Sequence, residues 1–491
     1  MRQELRRLFG GVFVYGLGEV LNRTIGFLLL PLFTSYLSPK DFGISGILGL
    51  IVFLVIPVFS LGFGTAFGAV YFESSDRRRK DAMVWTAFAA LFASTIIMGV
   101  SGWTTRDWLS VSAFGEPGFE RLIVLSLLTA GCTILAMPFR LRLQFEERAK
   151  LYVSISAVST FLSILSSVTM VVVLERGILG FVEGGLIGQA ITFVLFFASV
   201  LPSTRICFDS SLISRLMKIG VATIPGFAFL FVLQQGNRYV LRHFDGLDAV
   251  GVYTIGYNLG FAMNILITGF TSAWTPYFLS FTERKEEARP LFSSIFSYYV
   301  LGFGFLSLFF YLAARPVVML MTQQAFHGAF VVVGMTATAQ FFIGVFSLSL
   351  APVYFAKEVA KVTFVQGVAA VVGAGIMVAL IRAAGIFGAG ISLVFGFFLL
   401  AWLQHLWNKW RGEKYLRVEY DWERVARFGI FYVVVAMASL IPRNLQLTTE
   451  IVIAAAATCA LSVIFWFGFV RNEERRAALS SFRGLFSEQP G

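Results

Sequence analysis

The chain has 491 residues, of which 57% are hydrophobic and only 14% charged, against roughly 25% charged in an ordinary soluble domain. That balance excludes a soluble fold, which needs a charged skin. The formal charge of +11 invites a nucleic-acid reading, but 29 of the 39 basic residues fall in segments on one side of the successive apolar blocks. The excess is a topology signal, and no nucleic-acid partner is expected.

The apolar residues form blocks of about 18 to 30, long enough to cross a hydrocarbon core ~30 Å thick at 1.5 Å per helical residue. Inside lipid every backbone N–H and C=O must be satisfied within the segment, so the blocks are expected as helices. In chain order the candidate spans are 11–37, 42–73, 82–102, 120–139, 151–174, 178–201, 220–243, 249–281, 291–313, 328–355, 362–382, 386–408, 426–442 and 450–470. The expected fold is an all-α polytopic membrane protein with about 14 transmembrane helices. Because the basic loops lie on the side of the N-terminus and the span count is even, both termini are expected in the cytoplasm. Spans 42–73 and 249–281 exceed the bilayer thickness and are expected to tilt or extend beyond it, with Pro57 and Pro276 as bend points.

Loops on the opposite face are short; the largest, around 103–120, leaves no room for a catalytic domain. The basic-side segments are equally small, and none holds a phosphate-cradling GxxxxGK[ST] loop. No enzymatic activity and no cofactor are expected. Cys132, Cys207 and Cys459 are far apart, and His243, His327 and His405 sit near span ends without ligand spacing, so no metal site is read.

Three anchors recur along the chain. Asp41-Phe42-Gly43 aligns with Ala249-Val250-Gly251, and Gly177-Ile178-Leu179-Gly180 with Gly385-Ile386-Phe387-Gly388. Glu147-Arg148-Ala149-Lys150 aligns with Glu358-Val359-Ala360-Lys361. The repeat unit holds six spans, an even number, so both copies enter the membrane from the same side as parallel repeats. The expected division is a six-helix lobe at 1–205, a cytoplasmic linker at 206–218, a second six-helix lobe at 219–410, and two further helices with a tail at 411–491.

An ionisable side chain inside a span costs several kcal/mol unless something holds it. In the first span Tyr15, Glu19, Asn22 and Arg23 share one helix face, with Arg23 near mid-span. Arg23 could bind an anionic group such as a diphosphate in a water-filled cavity. It could instead neutralise itself against Glu19 one turn away. The seventh span carries a matching stripe, Gln234, Arg238 and Arg242, with Gln235 and Asn237 beside it. Arg242 lies near the span end, where it can snorkel; Arg238 is a turn deeper. Glu19 and Glu183 are the candidates for ion coupling, Glu183 also reading as structural. Asn258 and Asn264 could face a cavity or bond across helices. Membrane lipids are expected partners, since the basic cluster at 77–80 attracts anionic headgroups.

The opening Val14-Tyr15-Gly16-Leu17-Gly18-Glu19-Val20-Leu21-Asn22-Arg23, continuing through Gly26-Phe27-Leu28-Leu29-Leu30-Pro31 to Asp41-Phe42-Gly43, resembles the first-span signature of polysaccharide-biosynthesis flippases. These belong to the multidrug/oligosaccharidyl-lipid/polysaccharide exporter superfamily. The resemblance implies a two-lobed, V-shaped transporter of the cytoplasmic (inner) membrane that works by alternating access. Its cargo would be a polyprenyl-diphosphate-linked oligosaccharide such as an O-antigen or exopolysaccharide repeat unit, with a polysaccharide polymerase and glycosyltransferases as partners. Arg23 and Arg238 would then be the cavity cations. A lipid II flippase and an ion-coupled drug exporter are the alternatives within the superfamily. A membrane-embedded glycan polymerase or ligase is the alternative outside it, disfavoured by the short outer loops.

Overall fold

The structure, a computed structural model, describes residues 26–476 apart from 75, 283, 412–414, 442 and 444, and omits the side chain of 285. Among the described residues every regular element is a helix, and ten are long and apolar enough to cross a membrane. The block at 11–37 lies mostly outside the described residues; its end forms the short helix Leu30–Tyr36. Two of the ten, Ser210–Gly260 and Ala360–Trp410, are 51 residues long, about 76 Å at the helical rise and too long for one crossing. Each contains a break where the sequence expects a turn between spans. Gly246 has φ 81° and ψ −176°. Ala384 and Gly385 interrupt the second, Gly385 at φ 53°. A Cβ on Gly373 would lie 2.7 Å from the Leu233 side chain and 3.8 Å from Cα of Gly396. The arms on either side of Gly385 therefore pack against each other as a hairpin.

The chain forms two compact units, each discontinuous in sequence. The first contains residues up to Ile255 with Met321–Phe326 and Ala360–Gly396; the second contains Gly256–Leu320, His327–Val359 and the chain from Phe397 onward. Residues 210–255 and 360–396 belong to the first unit. The first unit's core is built from Phe63, Phe67, Tyr71, Trp85, Leu91, Phe139 and Phe196. The second packs Trp274, Phe278, Phe292, Tyr299, Phe341 and Phe428.

Within the first unit the helix Pro39–Phe59 crosses the stretch 247–255. A Cβ on Gly43 would lie 1.9 Å from the Leu247 carbonyl oxygen, and one on Gly251 would lie 1.8 Å from the Pro39 oxygen. Each glycine thus abuts the carbonyl four residues before its counterpart, so the contact is reciprocal. A side chain here would strike backbone, which cannot swing aside. Gly251→Leu is expected to lower the thermal midpoint of the purified chain by overpacking worth about 1–3 kcal/mol. Gly49→Ala, where a Cβ meets nothing within 4 Å, should leave the midpoint within experimental scatter in the same unfolding assay.

The other two anchors also have matching backbones. Gly177 and Gly385 both sit at positive φ, 54° and 53°. Glu147 and Lys357 do too, at 55° and 57°. Their turns match bond for bond: Arg148 N–H donates to Leu143 O at 3.0 Å and Glu358 N–H to Val353 O at 3.2 Å. The geometric register of that anchor is therefore one residue off the alignment by letters.

The expected bend points are corrected by the structure. The second span breaks at Leu61–Gly62, φ 53° and 66°, rather than at Pro57, which lies inside Pro39–Phe59. The break is set by packing. Its backbone meets Gly220 at the end of the helix Ser210–Val221, where a Cβ on Gly62 would lie 2.1 Å from Gly220 O and one on Gly220 2.2 Å from Leu61 O. The expected linker is thus a helix, buried through Leu212, Leu216 and Gly220. Asp209 caps it, accepting from Ser211 N–H at 3.0 Å; bonds from the Ser211 hydroxyl and then its N–H hold the Asp209 carboxyl below its usual pKa. In the other long span, Pro276 lies inside Met263–Leu279, and the helix is interrupted at 261–262. Pro276 stands one turn from the helix end, so few residues follow it to be deflected.

Candidate functional site

The stretch 224–245 places its polar stripe in the interior of the first unit. Arg238 is buried, 7% exposed, together with Gln235 and Asn237. Arg238 Nη1 donates to Gln235 Oε1, which orients the guanidinium from the preceding turn, while Gln234 is half-buried. Asn237 fixes the helix on both sides. Its Nδ2 donates to Tyr253 Oη at 3.2 Å, and its Oδ1 accepts from Ser392 Oγ at 2.9 Å. These bonds lock the rotation of 224–245 and so the direction in which Arg238 points. A guanidinium presents a planar set of donors, the geometry best suited to a phosphate or diphosphate.

Arg242 has a different task. Its Nη2 donates to Ser112 O at 2.8 Å and its guanidinium lies 5.3 Å from the Tyr239 ring centre. Ser112 is in the last turn of Arg106–Phe114, where unsatisfied carbonyls favour a cation. Arg242 therefore holds the end of that helix.

Glu183 is paired twice, with Arg176 at 2.7 Å and Arg121 at 3.0 Å, and its side chain is 13% exposed. That arrangement fixes the ends of three spans and fits the structural reading. Tyr15, Glu19, Asn22 and Arg23 lie outside the described residues. In the second unit Asn264 bonds across helices, donating to Gln340 Oε1 at 3.0 Å; Asn258 is exposed.

A further buried charge network escaped the sequence reading. Arg142, 2% exposed along its side chain, donates to Asp81 Oδ1 at 2.7 Å and to Glu146 Oε1 at 2.8 Å. Asp81 Oδ2 also accepts from Arg205 N–H at 3.1 Å. Next to it Trp85 Nε1 donates to Thr204 Oγ1 at 3.3 Å, and Asp209 N–H to Thr86 Oγ1 at 2.9 Å. The segment leading into the Ser210–Val221 helix is thereby tied to Arg77–Thr104. The Arg142–Glu146 spacing was visible as i,i+4. Asp81 was not, because it closes a run of four exposed or half-exposed cations that reads as a topology determinant.

Long apolar helices, hairpin returns and a buried cationic stripe define the chain as an all-helical multi-pass membrane protein. The sequence model of the polysaccharide biosynthesis protein family matches residues 8–282, more than half of the chain. The chain belongs to that family. A Haemophilus influenzae protein described as Lsg locus putative protein 1 is 23% identical over 291 residues, 57% of this chain and 68% of its own length. Among solved structures, a lipid II flippase, MurJ, in an inward closed conformation is similar at TM-score 0.69 and 11% identity, over 94% of this chain and 100% of that one. An inward-facing multidrug resistance MATE transporter gives 0.64 and 17%, over 79% and 94%. A transporter from Pyrococcus furiosus described as having a binding pocket of reverse polarity gives 0.55 and 15%, over 82% and 93%. These likenesses establish the fold.

Proposed function

We propose that the chain is a flippase that moves a polyprenyl-diphosphate-linked oligosaccharide across the cytoplasmic membrane by alternating access. The single observation that carries the reading is the buried Arg238, oriented by Gln235 on a helix locked by Asn237, in a member of the polysaccharide biosynthesis family. Arg238 and Arg23 bind the diphosphate, Gln234 and Gln235 contact the polar headgroup, and the polyprenyl tail stays in lipid. In this reading Tyr15 and Asn22 serve the same cargo and Glu19 carries the ion coupling. The repeat pairs the first span with the seventh, and each of the two carries a polar, Arg-bearing stripe. The basic loops face the cytoplasm, where glycosyltransferases supply the cargo, and a polymerase consumes it on the other side. Lipid II is the alternative cargo, favoured by the coverage of the MurJ fold.

Arg23→Ala tests the paired-cation reading. In cells that depend on this chain, the variant is expected to reduce surface glycan about tenfold or more, the loss of one charge-assisted hydrogen bond of about 1.5 kcal/mol. The lipid-linked precursor should accumulate in parallel. Normal surface glycan from a stably expressed Arg23→Ala protein removes Arg23 from the mechanism. Accumulation of peptidoglycan precursor instead of the glycan intermediate identifies lipid II as the cargo.

A further inference from the structure

The second unit contains a cavity of about 350 Å³ that the transport reading does not use. Its walls are the last turns of Ala360–Trp410, the non-helical segment 416–420, and Trp422 at the start of Trp422–Leu440. Two cations line it, Lys409 and Arg417, against one carboxylate, Glu419. Among the described residues neither Lys409 nor Arg417 forms an ion pair. The floor is aromatic: the His405 ring lies 5.0 Å from Trp422 and 5.7 Å from Tyr420, and Tyr420 packs on Phe296 at 4.2 Å.

The level of this cavity along the membrane normal follows from the residues around it. Four of the chain's nine tryptophans fall at 402, 407, 410 and 422, and Trp402, Trp410 and Trp422 are exposed. Tryptophan collects where hydrocarbon meets headgroups. Exposed apolar surface at Trp402 and Leu406 runs along the same helix away from the cations. The arrangement offers a positive cavity at headgroup depth with a greasy flank leading out of it. A soluble anion would use only the cations, whereas a lipid would use both.

We propose that this cavity seats the phosphate-bearing headgroup of an anionic phospholipid, with its acyl chains along the Trp402–Leu406 flank. Lys409 and Arg417 contact the phosphate, and the His405–Tyr420–Trp422 rings support the glycerol region. The site is separate from the Arg238 stripe, so its failure and that of the flippase reading are distinguishable.

The test uses the purified full chain in detergent, with phosphatidylglycerol or phosphatidylcholine added and bound lipid read by native mass spectrometry. Selective retention of phosphatidylglycerol is expected. Lys409→Gln with Arg417→Gln should weaken it about thirtyfold, and Arg417→Gln alone about fivefold, at roughly 1 kcal/mol for each cation near the headgroups. Arg284→Gln with Arg289→Gln, exposed cations of the second unit already paired with Glu287 and Glu286, should leave retention unchanged. Thermal midpoints measured in phosphatidylcholine show whether each variant is folded, and the single variant stands in if the double one is not. Equal retention of the two lipids, or wild-type retention by the folded Lys409/Arg417 variants, overturns the proposal. Binding of a polyprenyl diphosphate but not phosphatidylglycerol also overturns it and reassigns the cavity to the cargo.

Discussion

Arg238→Ala is expected to reduce glycan export by between about tenfold and about a hundredfold in cells that depend on this chain. The range follows from losing charge-assisted hydrogen bonds to the diphosphate, worth about 1.5–3 kcal/mol. Arg238 is buried and tied to Gln235, so protein abundance and monodispersity must be followed beside export. Arg238→Lys should fall between wild type and alanine: a point charge still attracts the diphosphate, but the planar fork of donors is gone. Asn237→Ala should also impair export, more mildly, because it frees the helix that aims Arg238 from Tyr253 and Ser392. Export at the wild-type level from a well-folded Arg238→Ala protein would sink the assignment of Arg238 as a binding residue.

The second large effect is on stability. Asp81→Ala leaves the Arg142 guanidinium buried with only Glu146 beside it and strips the acceptor from Arg205 N–H. Removing one partner of a buried ion pair costs about 3–5 kcal/mol, since the remaining charge stays desolvated. A loss of that size is a large part of ordinary domain stability, so the variant is expected to yield little folded protein. Asp81→Leu combined with Arg142→Met should recover part of the loss, because the two most buried charges leave together and similar volume returns, while Glu146 loses its guanidinium and the Arg205 N–H still lacks its acceptor. The check is thermal unfolding of the purified single and double variants. Equal loss in the two would show that the network stabilises through packing rather than through charge balance.

The local elements were largely legible in the sequence. Apolar blocks of membrane length became helices, and the expected turns between spans appear as the breaks at Gly246 and at Ala384–Gly385. What escaped was decided by partners distant in the chain. The second span breaks at Leu61–Gly62 because Gly220, more than a hundred and fifty residues later, packs its backbone there; Pro57 offered a local signal, and the tertiary contact overrode it. Asp81 read as part of a solvated basic run, and only its pairing with Arg142 and the Arg205 amide buries it. Arg242 and Arg238 look alike on one helix stripe. Their partners differ: Ser112 O accepts from the first and Gln235 Oε1 from the second. In the same way Glu183 reads as a lone acid until Arg121 and Arg176 close on it.

The most direct test of the account is transfer of a lipid-linked oligosaccharide between leaflets. The purified chain would be reconstituted into sealed vesicles carrying a polyprenyl-diphosphate oligosaccharide labelled on its sugar, with the fraction reachable by an external sugar-modifying reagent followed in time. The account predicts that wild-type protein exposes the inner-leaflet pool, while Arg238→Ala slows that exposure at least about tenfold. An inner pool that stays protected with wild-type protein, as in protein-free vesicles, would contradict it.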